Sequence, residues 1–418
     1  MNILIKSATI IDSKSEFHNT TQDLLIENGK ITKISSSIKN PKNYKEINLD
    51  NLHISQGWFD SSVSFGEPGF EERETIQNGL KTAAHSGFTA VAVNANTNPV
   101  IDSNSDITFL NSKANNNAVS LLPMGALTVA SKGEHLAELY DMSTAGAVAF
   151  YDYKSPISNP NLMKIALQYA SNFDGLVCSF PQEHKISGNG VMNENLTSTK
   201  LGLKGIPALA EELQVARDLF LLEYTGGKLH IPTISTATSV ALIREAKKKK
   251  LDITCSVAIH NLYFSDAVLT DFDTNYKVLP PLRTQTDIDA LIYGLKDGTI
   301  DMVTTDHNPI DIEDKKIEFD HASYGTIGLE SAFGALQSIF TTKKTIDLLT
   351  KGKTRFGIEA VPIAVGNTAN IALFNPVTKY TFSKNDIVSK SKNAIFLNAS
   401  LKGKAYGIIA NNQAVLNS

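Results

Sequence analysis

The sequence predicts an α/β protein that consists of a (β/α)8 barrel and a small β-domain built from both ends of the chain. Between about residues 55 and 360, short apolar segments alternate with segments of helical periodicity, which is typical of βα units around a parallel sheet. Before and after this region, short alternating strands are separated by turn signals. The predicted domains are therefore a composite β-sandwich of residues 1–54 and 361–418 and a barrel of residues 55–360.

Both ends of the chain have the pattern of β-strands. The first strands are predicted in the segments ILIK, ATIID and LLIENGKITKI, where Asn28-Gly29 is a strong hairpin turn signal. The last strands are predicted in ANIALFNP, TKYTF and AYGIIANNQAVLN, where Asn411-Asn412 marks another turn. We infer that the two ends pair into one small domain outside the barrel.

Eight apolar segments have the length of buried barrel strands. They are residues 58–64, 88–94, 119–125, 147–152, 176–179, 228–234, 253–258 and 300–305. Helical periodicity fills the intervals, as in the segment before the eighth strand. There we expect Thr286 to cap the helix with Asp289 as its partner three residues on, and Gly298 to end it.

Composition and charge exclude several classes of function. The 39 lysines and arginines face 43 acidic residues, and the net charge of −4 argues against a nucleic acid or an anionic membrane as partner. Two cysteines, Cys178 and Cys255, are too few for a disulfide framework. The segment MNILIKSATIID lacks the apolar region of a signal peptide, and no stretch is apolar enough to span a bilayer. We therefore expect a cytoplasmic protein.

Five separated motifs carry a resemblance to a known family. They are GWFDSSVSFGEPGFEERETIQNG, NANTNPVID, KVLPPLRTQTDIDALIYGLKDGTIDMVTTDHNP, YGTIGLESA and VSKSKNAIF. In order and spacing they resemble the dihydroorotase family of the amidohydrolase superfamily, in its type I-like form from multifunctional complexes. The resemblance covers essentially the whole chain. It implies a barrel of the metal-dependent hydrolase type that closes or opens the dihydropyrimidine ring in pyrimidine biosynthesis with one or two zinc ions.

The resemblance also indicates where the family places its metal ligands. The His-x-His pair of the first strand falls on Ser62 and Ser64, and the histidines of the fifth and sixth strands fall on Phe180 and Thr233. A neutral hydroxyl is a poor zinc ligand, and a phenyl ring has no lone pair to donate. We therefore expect neither a bound metal nor another cofactor, although the family uses zinc.

Three side chains match functional positions of the family. Asp306 matches the general base, Asp152 matches a carboxylate that bridges the metals in one branch, and Asn96 matches a substrate contact. The family's arginine for the substrate carboxylate falls on Gly66. We therefore interpret Asp306, Asp152 and Asn96 as vestiges and expect no functional catalytic residue; Asp306 could equally be a cap of the following loop.

Two functions remain open. The favoured one is a catalytically inactive homologue that serves as a structural or regulatory subunit; the resemblance implies a homodimer and aspartate transcarbamoylase as a candidate partner. The alternative is an active cyclic-amide hydrolase, dihydroorotase-like or hydantoinase-like, with a rebuilt or single-metal site that uses Asp306. His260 and His307 adjoin the expected barrel mouth. His230 would point away from the pore if Thr233 points into it, because residues an odd number of positions apart in a strand face opposite sides.

Overall fold

The computed structural model describes residues 1–40 and 42–417. Five strands come first: β1 (Ile3–Ile10), β2 (Thr21–Glu27), β3 (Lys30–Ser35), β4 (Lys45–Ile47) and β5 (His53–Gln56). Strand β1 pairs antiparallel with β2 and parallel with β4 and β5, and β2 pairs antiparallel with β3. These strands form one half of a sheet that the end of the chain completes.

The middle of the chain forms a parallel eight-stranded barrel sheet. Its first five strands are β6 (Trp58–Val63), β7 (Phe88–Val93), β8 (Ser120–Gly125), β9 (Ala149–Phe150) and β10 (Leu176–Cys178). A separate two-stranded sheet of β11 (Met192–Asn193) and β12 (Gly205–Ile206) follows. The last three barrel strands are β13 (Lys228–Ile231), β14 (Ile253–Ala258) and β15 (Met302–Thr304). All eight lie within the predicted segments.

Twelve α-helices lie between and after these strands in the described part of the chain. They are α1 (Ile76–His85), α2 (Asn104–Lys113), α3 (Leu139–Thr144), α4 (Pro160–Ala170), α5 (His184–Ser187), α6 (Leu196–Leu201), α7 (Ala208–Thr225), α8 (Ala237–Lys248), α9 (His260–Tyr263), α10 (Gln285–Asp297), α11 (Ala332–Ile339) and α12 (Thr342–Thr350). Across residues 1–40 and 42–417, none of the helices is both long and apolar enough to cross a membrane.

Helix α10 shows how its sequence fixes its ends. Its cap is Thr284, whose side chain forms a capping box with Asp287, so the predicted cap at Thr286 is wrong by two residues. The segment TQTDID contains two overlapping Thr-x-x-Asp patterns, and periodicity does not choose between them. Gly298 ends the helix as predicted, with a φ of 83° that glycine adopts without strain.

The last three strands return to the first sheet. They are β16 (Ile371–Thr381), β17 (Ser400–Ala410) and β18 (Gln413–Leu416). Strand β16 pairs antiparallel with β5, so the sheet runs β18-β17-β16-β5-β1-β2-β3 with β4 beside β1. The predicted fold class, a barrel with a flanking β-structure made from both ends of the chain, is confirmed. The domain boundaries at residues 54/55 and 360/361 remain a prediction.

An aromatic cluster joins the barrel to the flanking sheet. Trp58 is 0% exposed; its ring stacks on Phe333 at 4.8 Å and contacts Phe88 at 5.9 Å and Phe374 at 5.7 Å. Phe88 belongs to the barrel, Phe374 to β16 and Phe333 to α11. Because one large side chain contacts all three elements, the two sheets share a continuous apolar core.

A buried carboxylate helps to close the barrel between its first and last strands. Asp60 on β6 accepts hydrogen bonds from the Thr304 hydroxyl and from the Thr305 backbone N–H (3.0 Å). Burial raises the pKa of Asp60 to about 6, although these hydrogen bonds oppose the shift. The Ser64 N–H donates to the His307 carbonyl at 2.7 Å and continues the seam toward the barrel mouth.

Candidate functional site

A cavity of about 930 Å³ opens at the carboxyl ends of the barrel strands. This end is where barrels of this kind carry their chemistry. Asn96 after β7, Tyr153 and Lys154 after β9, and Asn308 after β15 line its wall. Asp306 lies at the same end, because it follows β15 directly and bonds to two of these side chains. The cavity is therefore the candidate functional site.

The carboxylate of Asp306 is held by two neighbours from the loop after β9. The Lys154 ammonium lies 2.7 Å from Oδ2, and the Tyr153 hydroxyl donates to Oδ1 at 3.1 Å. Asp306 is 2% exposed and has a left-handed backbone, with φ 49°. Burial raises the pKa of its carboxyl, and the charge of Lys154 opposes that rise. The residue predicted as a vestigial base is thus neutralised by an internal cation.

The two serines at the His-x-His positions form a neutral hydrogen-bonded network. The Asn94 Nδ2 donates to the hydroxyl oxygens of Ser62 and Ser64, at 3.1 Å in each case. The Ser62 hydroxyl is also 3.3 Å from Asn94 Oδ1. All three side chains are buried. A closed set of hydroxyl and amide groups carries no charge to hold a divalent ion in place.

The other two predicted ligand positions differ in their surroundings. Phe180 is 2% exposed and packs in the barrel interior with Phe59 and Cys178. Thr233 is also buried and has a left-handed backbone, with φ 55°. Its hydroxyl has no hydrogen-bond partner within the described residues. Neither side chain supplies the nitrogen, thiolate or carboxylate oxygen that zinc prefers.

Asp152 stabilises a different loop from the one that carries Asp306. Its carboxylate accepts hydrogen bonds from the N–H groups of Leu127 (2.8 Å) and Thr128 (3.0 Å) and from the Thr128 hydroxyl. These groups belong to the loop after β8. The oxygens of Asp152 are therefore occupied by backbone and hydroxyl donors, and the structure does not bring its carboxylate together with that of Asp306.

His230 occupies a different place from the one predicted. Its Nδ1 lies 2.9 Å from the Thr254 hydroxyl, and its ring contacts Phe356, which belongs to the barrel interior. The prediction that His230 points away from the pore is therefore wrong. It assumed regular strand alternation as far as Thr233, but β13 ends at Ile231 and the left-handed Thr233 breaks the alternation.

His307 and His260 lie near the mouth as predicted, and both are buried. The His307 Nδ1 accepts hydrogen bonds from the N–H groups of Gly328 (3.1 Å) and Leu329 (3.4 Å), so the lone pair of this nitrogen is engaged in hydrogen bonding. Burial lowers the pKa of each histidine to about 3, and the charge of Lys154 adds to the effect at His260. Both rings are therefore neutral at physiological pH. The Nε2 of each has no hydrogen-bond partner in the described part of the chain.

Of the two positions that match the family's substrate contacts, Asn96 keeps its side chain at the cavity, whereas Gly66 has no room for a side chain. Asn96 lines the cavity, and its Oδ1 is buried without a hydrogen-bond partner among residues 1–40 and 42–417. At Gly66 a Cβ would lie 1.8 Å from the Phe70 carbonyl oxygen, in a turn where the Phe70 N–H donates to the Gly66 carbonyl at 2.7 Å. No side chain fits there without a backbone shift, so an arginine is excluded in this backbone conformation.

These observations test whether the site fits the zinc that the resemblance implies. Within the described residues, no group of three or more histidine, cysteine, aspartate or glutamate side chains is arranged to hold a metal ion. At the position of the family's base, the Lys154 ammonium is already in contact with the carboxylate of Asp306. A second cation beside Nζ would be repelled. The residues at the expected positions therefore do not fit a zinc centre.

Lys154, Tyr153 and Asp60 were not identified from the sequence. Lys154 and Tyr153 follow the fourth barrel strand, at the end from which side chains reach the mouth, and this position is a usable signal. Asp60 lies in the motif GWFDSSVS, two residues before Ser62, and the serines at the His-x-His positions drew attention instead. Its role in the seam between β6 and β15 depends on barrel closure, which no local pattern reports.

Curated relatives match the chain over almost its whole length. A dihydroorotase of Pelotomaculum thermopropionicum is 39% identical and covers 100% of this chain and 99% of its own. A dihydroorotase of Thermoanaerobacter sp. is 40% identical, with 96% and 94% covered. One from Geobacter metallireducens is 36% identical, with 99% of each chain covered. A family model described as dihydro-orotase-like matches residues 53–239.

Solved structures resemble the fold at lower identity. The L-hydantoinase (dihydropyrimidinase) of Arthrobacter aurescens superimposes with a TM-score of 0.85 at 18% identity, covering 100% of this chain and 96% of its own. A dihydropyrimidinase of Brevibacillus agri gives 0.81 at 19%, with 100% and 95% covered. At these identities the likeness establishes the fold alone.

The relatives correct one expectation from the sequence. We expected no cofactor, but dihydroorotases and hydantoinases are metal-dependent enzymes, and this finding contradicts that expectation. The metal requirement of the family and the residues at this chain's expected ligand positions therefore disagree. The family itself follows from relatives that are 36–40% identical over nearly the full length. The chain belongs to the dihydroorotase family of the amidohydrolase superfamily.

Proposed function

We propose that this chain is a catalytically inactive member of the dihydroorotase family that serves pyrimidine biosynthesis as a structural or regulatory subunit. The ion pair between Lys154 and Asp306 carries the proposal. A general base must accept a proton from water or a substrate nitrogen, and it needs a free oxygen within hydrogen-bond reach. Here Oδ2 contacts an ammonium and Oδ1 accepts from the Tyr153 hydroxyl, so both oxygens are occupied.

The loss of the other functional groups supports the same proposal. In this family, zinc activates water and polarises the scissile carbonyl when it is bound. Ser62 and Ser64 instead form a neutral network with Asn94, and Phe180 and Thr233 occupy the other ligand positions. These side chains lack the donor atoms that would hold such a zinc ion.

A subunit role is supported by exposed apolar side chains on one helix. Along α7, Leu209, Leu213, Phe220 and Tyr224 are 55%, 48%, 71% and 77% exposed. Exposed large apolar side chains in such number often belong to protein–protein contacts. We propose that the protein forms a homodimer and associates with aspartate transcarbamoylase, the partner that the family resemblance implies.

The catalytic part of the proposal is tested by assaying both directions of the dihydroorotate reaction with zinc-supplemented protein. We expect no turnover above the rate in buffer, and no difference between the unmodified chain and Asp306→Ala. An active dihydroorotase under the same conditions controls for the assay. Turnover at a rate typical of enzymes, lost in Asp306→Ala but kept in Asp174→Ala at an exposed position, would overturn the proposal in favour of a rebuilt hydrolase site.

The partner is tested separately, by mixing the purified chain with the aspartate transcarbamoylase of the same cell and measuring mass by sedimentation. We expect a complex of defined stoichiometry. The variant Phe220→Glu with Tyr224→Glu should weaken it if α7 contributes to the contact, whereas Lys200→Glu with Lys296→Glu, on other exposed helical positions, should not. Two species that sediment independently at concentrations well above those in a cell would refute the partnership.

A further inference from the structure

A second cavity, of about 650 Å³, lies outside the candidate site. Its walls come mainly from residues 272–275 after β14, residues 310–317 after β15 and residues 384–397 before β17. Asp306, Lys154, Asn96 and Tyr153 do not line it, although Ile310 lines both cavities. Its volume is in the range of small-molecule sites in proteins. We call it the lysine pocket.

The lysine pocket is positively charged, although the protein as a whole has a net charge of −4. The charged residues that line it are Lys315, Lys316, Lys384, Lys390 and Lys392, against Glu72, Asp273 and Asp311. Glu72 is also within 3.7 Å of the guanidinium of Arg73, which uses part of its negative charge. A concave surface of one sign concentrates counter-ions of the other sign.

Three of the lysines are held in place by backbone carbonyl oxygens. Lys315, only 3% exposed, donates to the carbonyl of Thr274 at 2.9 Å. Lys390 donates to the Glu71 carbonyl at 2.8 Å, and Lys392 donates to the Ser389 carbonyl at 2.6 Å. A carbonyl oxygen orients an ammonium group but does not cancel its charge. Burial lowers the pKa of the Lys315 amine to about 7, so the positive charge that an anion can reach comes from the exposed Lys316, Lys384, Lys390 and Lys392.

The same pocket has an exposed apolar wall. Phe272, Ile312 and Ile317 line it with 46%, 52% and 41% of their surfaces exposed. The phenyl ring of Phe272 offers a face on which a planar ring can stack, and the isoleucines extend the apolar surface. Fixed ammonium groups and a stacking face within one cavity suit a ligand that joins a phosphate chain to an aromatic ring.

We propose that the lysine pocket binds a nucleotide, with its phosphates on the lysines and its base against Phe272 and the two isoleucines. The site is separate from the barrel mouth, and the inference holds whether or not the mouth has hydrolytic activity. It gives the protein a ligand site that the family's chemistry does not require.

The inference is tested by isothermal titration calorimetry of the full chain with ATP, with CTP and with inorganic triphosphate. We expect saturable binding of all three. The variant Lys316→Glu with Lys384→Glu should weaken each at least about tenfold. The control variant Lys200→Glu with Lys296→Glu makes the same change of charge on exposed helical positions outside the pocket and should leave all three affinities unchanged.

A second variant separates the contribution of the base from that of the phosphates. Phe272→Ala should weaken ATP and CTP about tenfold and leave inorganic triphosphate unchanged, because only the nucleotides have a ring to stack. The inference is wrong if nucleotides do not bind at millimolar concentration, or if both charge variants weaken them equally. It is also wrong if only a single-stranded oligonucleotide binds, since the surface would then serve nucleic acid.

Discussion

The ammonium of Lys154 gives the carboxylate of Asp306 an internal counter-ion at the barrel mouth. The side chains of the pair are 10% and 2% exposed. Replacement by methionine, Lys154→Met, leaves a buried carboxylate without its partner. We expect a loss of about 3–5 kcal/mol in the free energy of unfolding at neutral pH, measured by urea denaturation. The loss should shrink as the pH falls, because the folded protein can then protonate Asp306.

Lys228→Met provides the matched control for that substitution. Lys228 also pairs with an aspartate, Asp174, but the side chains of this pair are 33% and 80% exposed. Exposed pairs contribute about 0–1 kcal/mol, so this variant should differ little from the unmodified protein. Equal effects of Lys154→Met and Lys228→Met would mean that the charge of Lys154 contributes nothing to the stability of the mouth.

The same lysine should affect how tightly the barrel mouth binds zinc. Ser62→His with Ser64→His returns two imidazoles beside Asp306, but the Lys154 ammonium still repels a cation. We expect zinc, measured by elemental analysis after desalting, to bind the triple variant that also carries Lys154→Ala and not the double variant. Zinc retained equally by both would show that Lys154 does not compete with the metal.

Asp60 should give stability a specific pH dependence. Its folded pKa is about 6, above the ordinary value of 3.8, so the folded state holds up to about one more proton than the unfolded state between these values. Its contribution to stability therefore falls as the pH rises from 4 to 6. The slope of unfolding free energy against pH in this window should be less negative in Asp60→Asn than in the unmodified protein. Asp50→Asn, at an exposed position, should keep the original slope.

At the residue scale, the sequence indicated which of the family's ligand positions carry other residues better than it indicated the contacts within the site. The substitutions at Ser62, Ser64 and Phe180 can be read directly from the motifs. The contact of Lys154 with Asp306 cannot, because it joins loops after two different strands. The orientation of His230 was mispredicted because the φ of a threonine two residues beyond a strand is not written in any periodicity.

At the scale of elements, Arg283 connects the loops that cover one side of the mouth. This buried guanidinium donates to Asn193 Oδ1 (2.8 Å), to the Ile206 carbonyl (2.8 Å) and to the Ser235 hydroxyl (3.1 Å). These partners lie on β11, on β12 and in the loop before α8. One side chain thus ties three elements to the segment before α10.

We expect Arg283→Met to loosen the segment from β11 to β12 before it affects the barrel. Limited proteolysis should cut between residues 188 and 206 faster than in the unmodified protein. The variant lacks these hydrogen bonds, so the segment opens at a lower cost in free energy. Arg244→Met, which removes a pair with Asp297 on the helical surface, is the control and should leave the cleavage pattern unchanged. Identical patterns for the two variants would rule out this role of Arg283.

The elements themselves were largely predictable, and their ends less so. All eight barrel strands fall within their predicted segments because a buried parallel strand is a short apolar run with turn residues around it. The cap of α10 was misplaced by two residues, since Thr284 and Thr286 both precede an aspartate by three positions. Both patterns can cap a helix, so the local sequence alone does not choose between them.

At the scale of the molecule, the aromatic cluster around Trp58 makes the barrel and the flanking sheet one cooperative unit. We expect Phe374→Ala to lower the free energy of unfolding by about 3–5 kcal/mol. Tryptophan fluorescence and far-ultraviolet circular dichroism should still report a single coincident transition. Val377→Ala, on the same strand but 57% exposed, is the control and should change stability little. Two separate transitions in Phe374→Ala would show that the sheets fold independently.

The overall architecture could be predicted from the hydrophobic pattern of the sequence, because strand patterns at both ends enclose a region of alternating strands and helices. The pairing of β5 with β16 was inferred only in outline. Its register, with Ile371 opposite Gln56, joins residues more than three hundred positions apart, and no local signal encodes it. The separate lysine pocket was equally hidden, because its lysines come from segments after β15 and before β17.

The positive charge beside Asp306 differs from a metal ion in one respect, because it is covalently part of the chain. A bound ion is shared with every other ligand in the cell, and its occupancy follows supply. The ammonium of Lys154 is made with the polypeptide, so every chain carries one. Neither chelators nor scarcity of transition metals can remove it. The counter-ion that Asp306 has in this structure is therefore independent of the metal supply of the cell.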